Sequence, residues 1–151
     1  MKESKRISTL FSNLYNGEPW IDVTLMDTLQ NISYQKAAEK YKNCNSIWEI
    51  VNHIIAWREN VLQRVQGKVI NTPNHNYFEP VIDISEKAWK NTLSKLEQSQ
   101  QQWLLFLLNC NEVEFDTLYP NNNLNYYEHI HGIIQHDAYH LGQIVILKKF
   151  V

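Results

Sequence analysis

Apolar residues recur along this chain at intervals of three and four, the spacing of a helix with one buried face, and they do so in four blocks. The first block runs from about residue 3 to Tyr15 and stops at "NGEP", where Gly17 and Pro19 break it. The second opens on "SIWE", which reads as a capping box: the Ser46 hydroxyl takes an orphan N–H of the first turn and Glu49 reaches back. Ile47, Ile50, Ile54, Val61 and Val65 then keep helical spacing as far as Gly67. The third block begins near "DISE", read as another capping box. It carries Trp89, Leu93, Leu96, Trp103, Leu104 and Leu107 along one side and ends around Asn109. The fourth runs from about Asn125 to Lys149. Between them, "WIDVTLMDTLQNISYQKAAEKYKNCN" has room for one short helix. "NTPNHNYFEPVIDIS" is a loop with two prolines, and "NEVEFDTLYPNNNLN" is a loop with room for a small hairpin. The alternation a sheet core needs is missing. The pattern predicts an all-α fold, a four-helix bundle with long connecting loops, in a single domain over residues 1–151.

Composition fits that expectation and narrows the function. The chain is 44% hydrophobic and 20% charged, ordinary for a globular protein, and its four Gly and four Pro suit long helices. The formal net charge is −2 with no basic run, which argues against a nucleic-acid partner, since phosphate binding relies on clustered Lys and Arg. No apolar run approaches the ~18 residues of a membrane span, and "MKESKRISTLFSNLYNGEPW" lacks the apolar core of a signal peptide. Cys44 and Cys110 stand alone without C-x-x-C spacing, as two reduced thiols would in the cytoplasm, where the protein is expected.

The chemistry lies in "QHDAYHLGQI", which sets His136 and His140 one helical turn apart. At ~100° per residue, with His136 at zero, His140 falls at about 40° and the apolar stripe centres near 110°. On the second helix, with His53 at zero, the stripe again centres near 100°. All three imidazoles sit on the shoulder of a buried face, and shoulders of adjacent bundle helices can converge on one metal site. The spacing alone leaves two readings standing: ligands of one cation, or a hydrogen-bonded or exposed histidine pair.

"SIWEIVNHIIAW" in the first half and "HDAYHLGQI" near the end, with "NGEPWIDV" after the first helix, resemble the DinB-like (DinB/YfiT-like) family of small helical proteins. The resemblance runs over nearly the whole chain. Its pattern falls on His53, His136 and His140, followed by Gly142 and Gln143. It implies a bundle of up-down-down-up order, often dimeric, holding a divalent metal on those three histidines; despite the family name, it does not imply a DNA polymerase. Zinc or nickel is the expected ion, although imidazole also suits copper and iron. Three protein ligands leave a coordination position open, the pattern of a catalytic site. That position serves hydrolysis through an activated water, or transfer of a low-molecular-weight thiol, since the wider family includes thiol-dependent S-transferases. The implied partners are a small-molecule substrate and a second copy of the chain, with neither nucleic acid nor membrane. The rival reading is a non-catalytic, stress-related metal-binding or interaction protein of the same fold.

Other residues take expected places around the triad. Glu49, at about −40° from His53, either orients that imidazole or accepts a proton; the capping box explains it equally well. Asp137 falls near 100°, inside the apolar stripe, where a carboxylate needs a tie to a neighbouring helix or a Trp N–H. His129 stands ~10 Å along the axis from His136, too far for the same ligand shell, and is placed at the pocket mouth. Trp57, at about 40° from His53, belongs beside the site. Gln100, which interrupts the third stripe, and Gln143, one turn beyond His140, are further pocket candidates. His131 is expected at solvent or a second subunit, and His75 needs no role. No Gly-rich phosphate loop, G-x-S-x-G elbow or paired Glu-x-x-His motif competes.

Overall fold

Side-chain caps fix where three of the four long helices begin. Glu49 N–H donates to Ser46 Oγ at 3.1 Å and Ser46 N–H donates to Glu49 Oε2 at 2.8 Å, the full capping box read from "SIWE". Asn125 and Glu128 form a second such box, which apolar spacing did not reveal. The "DISE" segment does not form one. Ser85 is the cap there, accepting from Ala88 N–H at 3.2 Å, so Glu86 lies in the first turn and pairs instead with Lys90. In the computed structural model, which describes residues 1–151, the elements are α1 (Glu3–Asn16), α2 (Leu25–Leu29), α3 (Tyr34–Ala38), α4 (Ile47–Val65), α5 (Glu86–Asn109) and α6 (Tyr126–Leu147). The segment after "NGEP" thus holds two short helices rather than one, capped by Thr24 and Ser33. The loop before α6 forms a 3-10 turn at Glu112–Asp116 and a single antiparallel bridge, Leu118 to Asn125, in place of a hairpin. No helix is long and apolar enough to cross a membrane.

The four long helices close a ring in which α1 and α4 lie diagonally and each touches α5 and α6. Side-chain ties give the directions. Ser4 meets Glu112 and Tyr15 meets Glu97, so α1 and α5 are antiparallel. Trp48 meets Thr92 and Arg58 meets Gln100, so α4 and α5 are parallel. His53 meets His140, while Arg64 further along α4 shares a cleft with His129 near the start of α6, so α4 and α6 are antiparallel. The order is up-down-down-up.

Because α4 and α5 run the same way, residues 66–85 must carry the chain back along the bundle. That return covers roughly 28 Å, the length of a 19-residue helix at ~1.5 Å per residue. This crossing strap lies over the α4–α6 seam and matters for the site.

The apolar interior is in two parts. One gathers 17 buried residues around Trp48, Ile54, Trp89, Leu96 and Leu141; the other gathers 10 around Phe11, Val61, Trp103 and Ile133. On α4, α5 and α6 the boundary is polar. Arg58 Nε donates to Asp137 Oδ2 at 2.7 Å with both side chains wholly buried, and Arg58 Nη1 donates to Gln100 Oε1 at 3.0 Å. The guanidinium carbon also lies 5.9 Å from the ring centres of Phe11 and Tyr15 on α1. Asp137 therefore has its tie to a neighbouring helix, and Gln100 is turned to Arg58.

Removing either charge leaves the other buried and unpaired. Arg58→Met and Asp137→Leu should each lower stability by about 3–5 kcal/mol, and the double variant should recover most of the loss. Urea denaturation of the three variants measures this.

Candidate metal centre

The α4–α6 pairing that joins Arg58 to Asp137 also brings together the histidines beside them. His53 sits just over one turn before Arg58, and His136 precedes Asp137. His53 Nε2 and His136 Nε2 stand 3.0 Å apart. One ligand nitrogen from each of His53, His136 and His140 lies within 4.8 Å of the others. Nitrogens bound about 2.1 Å from one cation stand about 3.4 Å apart at the tetrahedral angle and about 3.0 Å at a right angle. The His53–His136 distance is that of two ligands of one ion, and the three nitrogens together lie close enough to hold one. His53 is 1% exposed and His140 6%, while His136 is half-buried at the edge of the cleft.

Hydrogen bonds fix which nitrogen two of the rings offer. Asn76 O can only accept, so His53 Nδ1 donates to it at 2.7 Å and leaves a lone pair on Nε2. His140 Nδ1 donates to Gln143 Oε1 at 2.7 Å, with the same result, and Gln143 Nε2 in turn donates to Tyr139 Oη. His136 Nδ1 is buried without a partner, 3.6 Å from Asp137 Oδ1, which also lacks one. Burial pushes the His53 imidazole down to about 4, reinforced by its two histidine neighbours, and burial also lowers His140. Both are therefore neutral near pH 7, the form that ligates. The chemistry of this donor set fits a divalent cation of borderline softness, and these three residues can hold one.

The strap supplies what the sequence did not reveal. Asn76 gives its carbonyl to His53 and its side-chain oxygen to Trp57 Nε1 at 3.0 Å. Phe78 stacks on the His53 ring, with centroids 3.9 Å apart and planes 9° from parallel. To turn this way the backbone takes left-handed φ at Asn76 (51°) and Tyr77 (60°), tolerable for Asn and uncommon for Tyr. Asn60 Nδ2 donates to the Tyr77 hydroxyl at 2.6 Å and holds that turn to α4. Nothing in the sequence of this strap, which also carries Val69, Ile70, Val81, Ile82 and Ile84, sets the Tyr77–Phe78 pair apart.

The remaining candidates separate clearly. Trp57 and Gln143 line the cleft above the imidazoles, together with Asn45, Phe78 and Tyr139. Glu49 does not orient His53: its oxygens are engaged by Ser46 N–H and by Lys40 Nζ at 2.8 Å, and Asn76 does the orienting. Gln100 lies on Arg58, away from the cleft. His129 lines a neighbouring cleft that shares the walls Trp57 and His136. His131 packs on the Tyr127 ring at 4.3 Å, and His75 faces Glu79 at 3.5 Å. Cys44 and Cys110 are unpaired.

An up-down-down-up bundle with three converging imidazoles on its second and fourth long helices is a small helical protein equipped to hold a metal. The family model of the DinB superfamily matches residues 23–144, and the chain belongs to that superfamily. No curated protein and no solved structure matches it.

The buried neutral imidazoles also set a pH dependence. The ordinary histidine value is 6.5 and that of native His53 about 4, so the unfolded chain takes up the proton first on acidification. With a chelator present, stability should be complete above about pH 6.5 and fall between there and about pH 4. His53 alone contributes on the order of 3 kcal/mol and His140 acts in the same direction. Urea midpoints across that range measure it, and His53→Phe should flatten the slope.

Proposed function

We propose that this protein is a divalent-metal-dependent enzyme acting on a small molecule, either as a hydrolase or as a transferase of a low-molecular-weight thiol, with zinc or nickel on His53, His136 and His140. One observation carries the reading: three imidazole nitrogens, two of them oriented by hydrogen bonds, gather beside an open cleft of about 430 Å³, within the size range of small-molecule sites, and no fourth protein ligand closes the set. A structural metal site would be closed. A bound cation supplies Lewis acidity at its free positions. The chain's own residues do the rest. Asn76 and Gln143 hold the rings of His53 and His140 in their ligating tautomers. Phe78 and Trp57 wall the cleft with apolar surface that limits water, and the Tyr139 hydroxyl stands at its rim.

Untagged protein should carry one divalent ion per chain by elemental analysis, and His136→Ala close to none. On panels of esters, amides and thiol–electrophile pairs, His140→Ala should reduce turnover to background while circular dichroism stays helical. One ion per chain with no turnover on any panel would favour the metal-binding or interaction reading instead.

A further inference from the structure

Next to the metal cleft, and sharing Trp57 and His136 with it, is a second cleft of about 270 Å³ whose walls include Arg64, Asn122, Glu128 and His129. Arg64 is only 7% exposed, yet it faces no carboxylate within ion-pair distance. Its guanidinium is clasped between the rings of Trp57 (5.4 Å) and Tyr119 (4.9 Å), and Nη2 donates to Thr72 Oγ1 at 3.1 Å. Nε is buried with no acceptor, and Nη1 makes no hydrogen bond within the chain. A position in the last turn of α4 suits a cation, but the helix dipole does not require burying it. A buried, unpaired guanidinium is costly, and an anion that pairs with it removes the cost.

Asn122 adds a donor. Its Oδ1 accepts both Leu124 N–H and His129 Nε2–H at 3.2 Å, and its Nδ2 makes no hydrogen bond within the chain. The charge of the cleft limits the anion. Burial lowers the His129 pKa so that the ring is neutral, and Glu128 contributes a negative charge, one of its oxygens capping Asn125 N–H. One cation beside one carboxylate suits a monoanion and disfavours a dianionic phosphate.

We infer that this cleft binds the carboxylate of the substrate, through Arg64 and Asn122, while the reacting end of the same molecule lies at the three histidines. His129 and His136 are seven residues apart on α6, so the two ends are separated by on the order of 10 Å, the reach of about three extended residues. The substrate class is a small monocarboxylate of about that length. The inference rests on the proposed metal-dependent function for its reacting end, and on Arg64 with Asn122, independently of any metal, for its anionic end.

The two parts are tested separately. Nε–H resonances of the two buried arginines are followed as propionate, and separately inorganic phosphate, is added to the full chain with a chelator and again with one equivalent of zinc. The Arg64 signal should shift saturably with propionate while that of Arg58, already paired with Asp137, stays in place. Phosphate should bind more weakly. Arg64→Lys keeps the charge but loses the fork and should weaken propionate about tenfold. Asn122→Ala, at an exposed position, should weaken it less and keep the fold. A non-saturating Arg64 shift, equal binding by Arg64→Lys, or phosphate binding as tightly as propionate overturns the carboxylate site, whatever zinc does. In zinc-loaded protein, ω-mercapto carboxylic acids of increasing length should bind tightest near 10 Å, an optimum absent in Arg64→Lys. A flat length dependence overturns the span. Failure of zinc to bind overturns the metal reading and leaves the propionate result standing.

Discussion

A single ion pair sealed from water, Arg58 with Asp137, fixes how the four long helices stand against one another. α4 provides the guanidinium, α6 the carboxylate, α5 the Gln100 and Ser99 acceptors, and α1 the rings of Phe11 and Tyr15. Apolar contacts alone tolerate sliding, because one aliphatic side chain packs nearly as well as its neighbour. A buried charge does not, since its partner is directional and has no solvent to replace it. A slip of one residue on α6 would turn its face by ~100° and carry Asp137 away from Arg58. It would carry His136 away from His53 by the same rotation. The register that satisfies the ion pair is the one that assembles the imidazoles.

The second determinant is topological. Parallel α4 and α5 oblige residues 66–85 to cross the molecule, and they cross where the histidines meet. The site therefore has a helical floor, with ring positions set by the 3.6-residue repeat, and a loop wall held by hydrogen bonds at Asn76 and Tyr77. The floor provides all the nitrogens, while the wall decides the tautomer of His53 and part of the shape offered to a ligand.

This division explains what could be read from the sequence. Helix periodicity placed His53, His136, His140 and Trp57 on the correct shoulders and put Asp137 in a buried stripe, because a helical wheel needs only residue spacing. The same wheel puts Arg58 at about 140° from His53, inside the stripe, so the partner of Asp137 was equally legible and was passed over. Asn76 and Phe78 were not legible. A backbone carbonyl is common to every residue, and the left-handed turn at Tyr77 is held by Asn60 on another element rather than by local preference. At Glu49 two local rules competed for one side chain, and the cap prevailed with help from Lys40 across the fold. The Asn125–Glu128 box leaves no mark on apolar spacing, because both of its residues are polar.

The hydrogen bond between the strap and His53 runs through main chain, while the stack on the same ring runs through the Phe78 side chain. A loop that keeps its path can exchange its residues without disturbing the tautomer beneath it. A fixed set of imidazoles under a replaceable cover separates the residues that can hold an ion from those that shape the cleft around it.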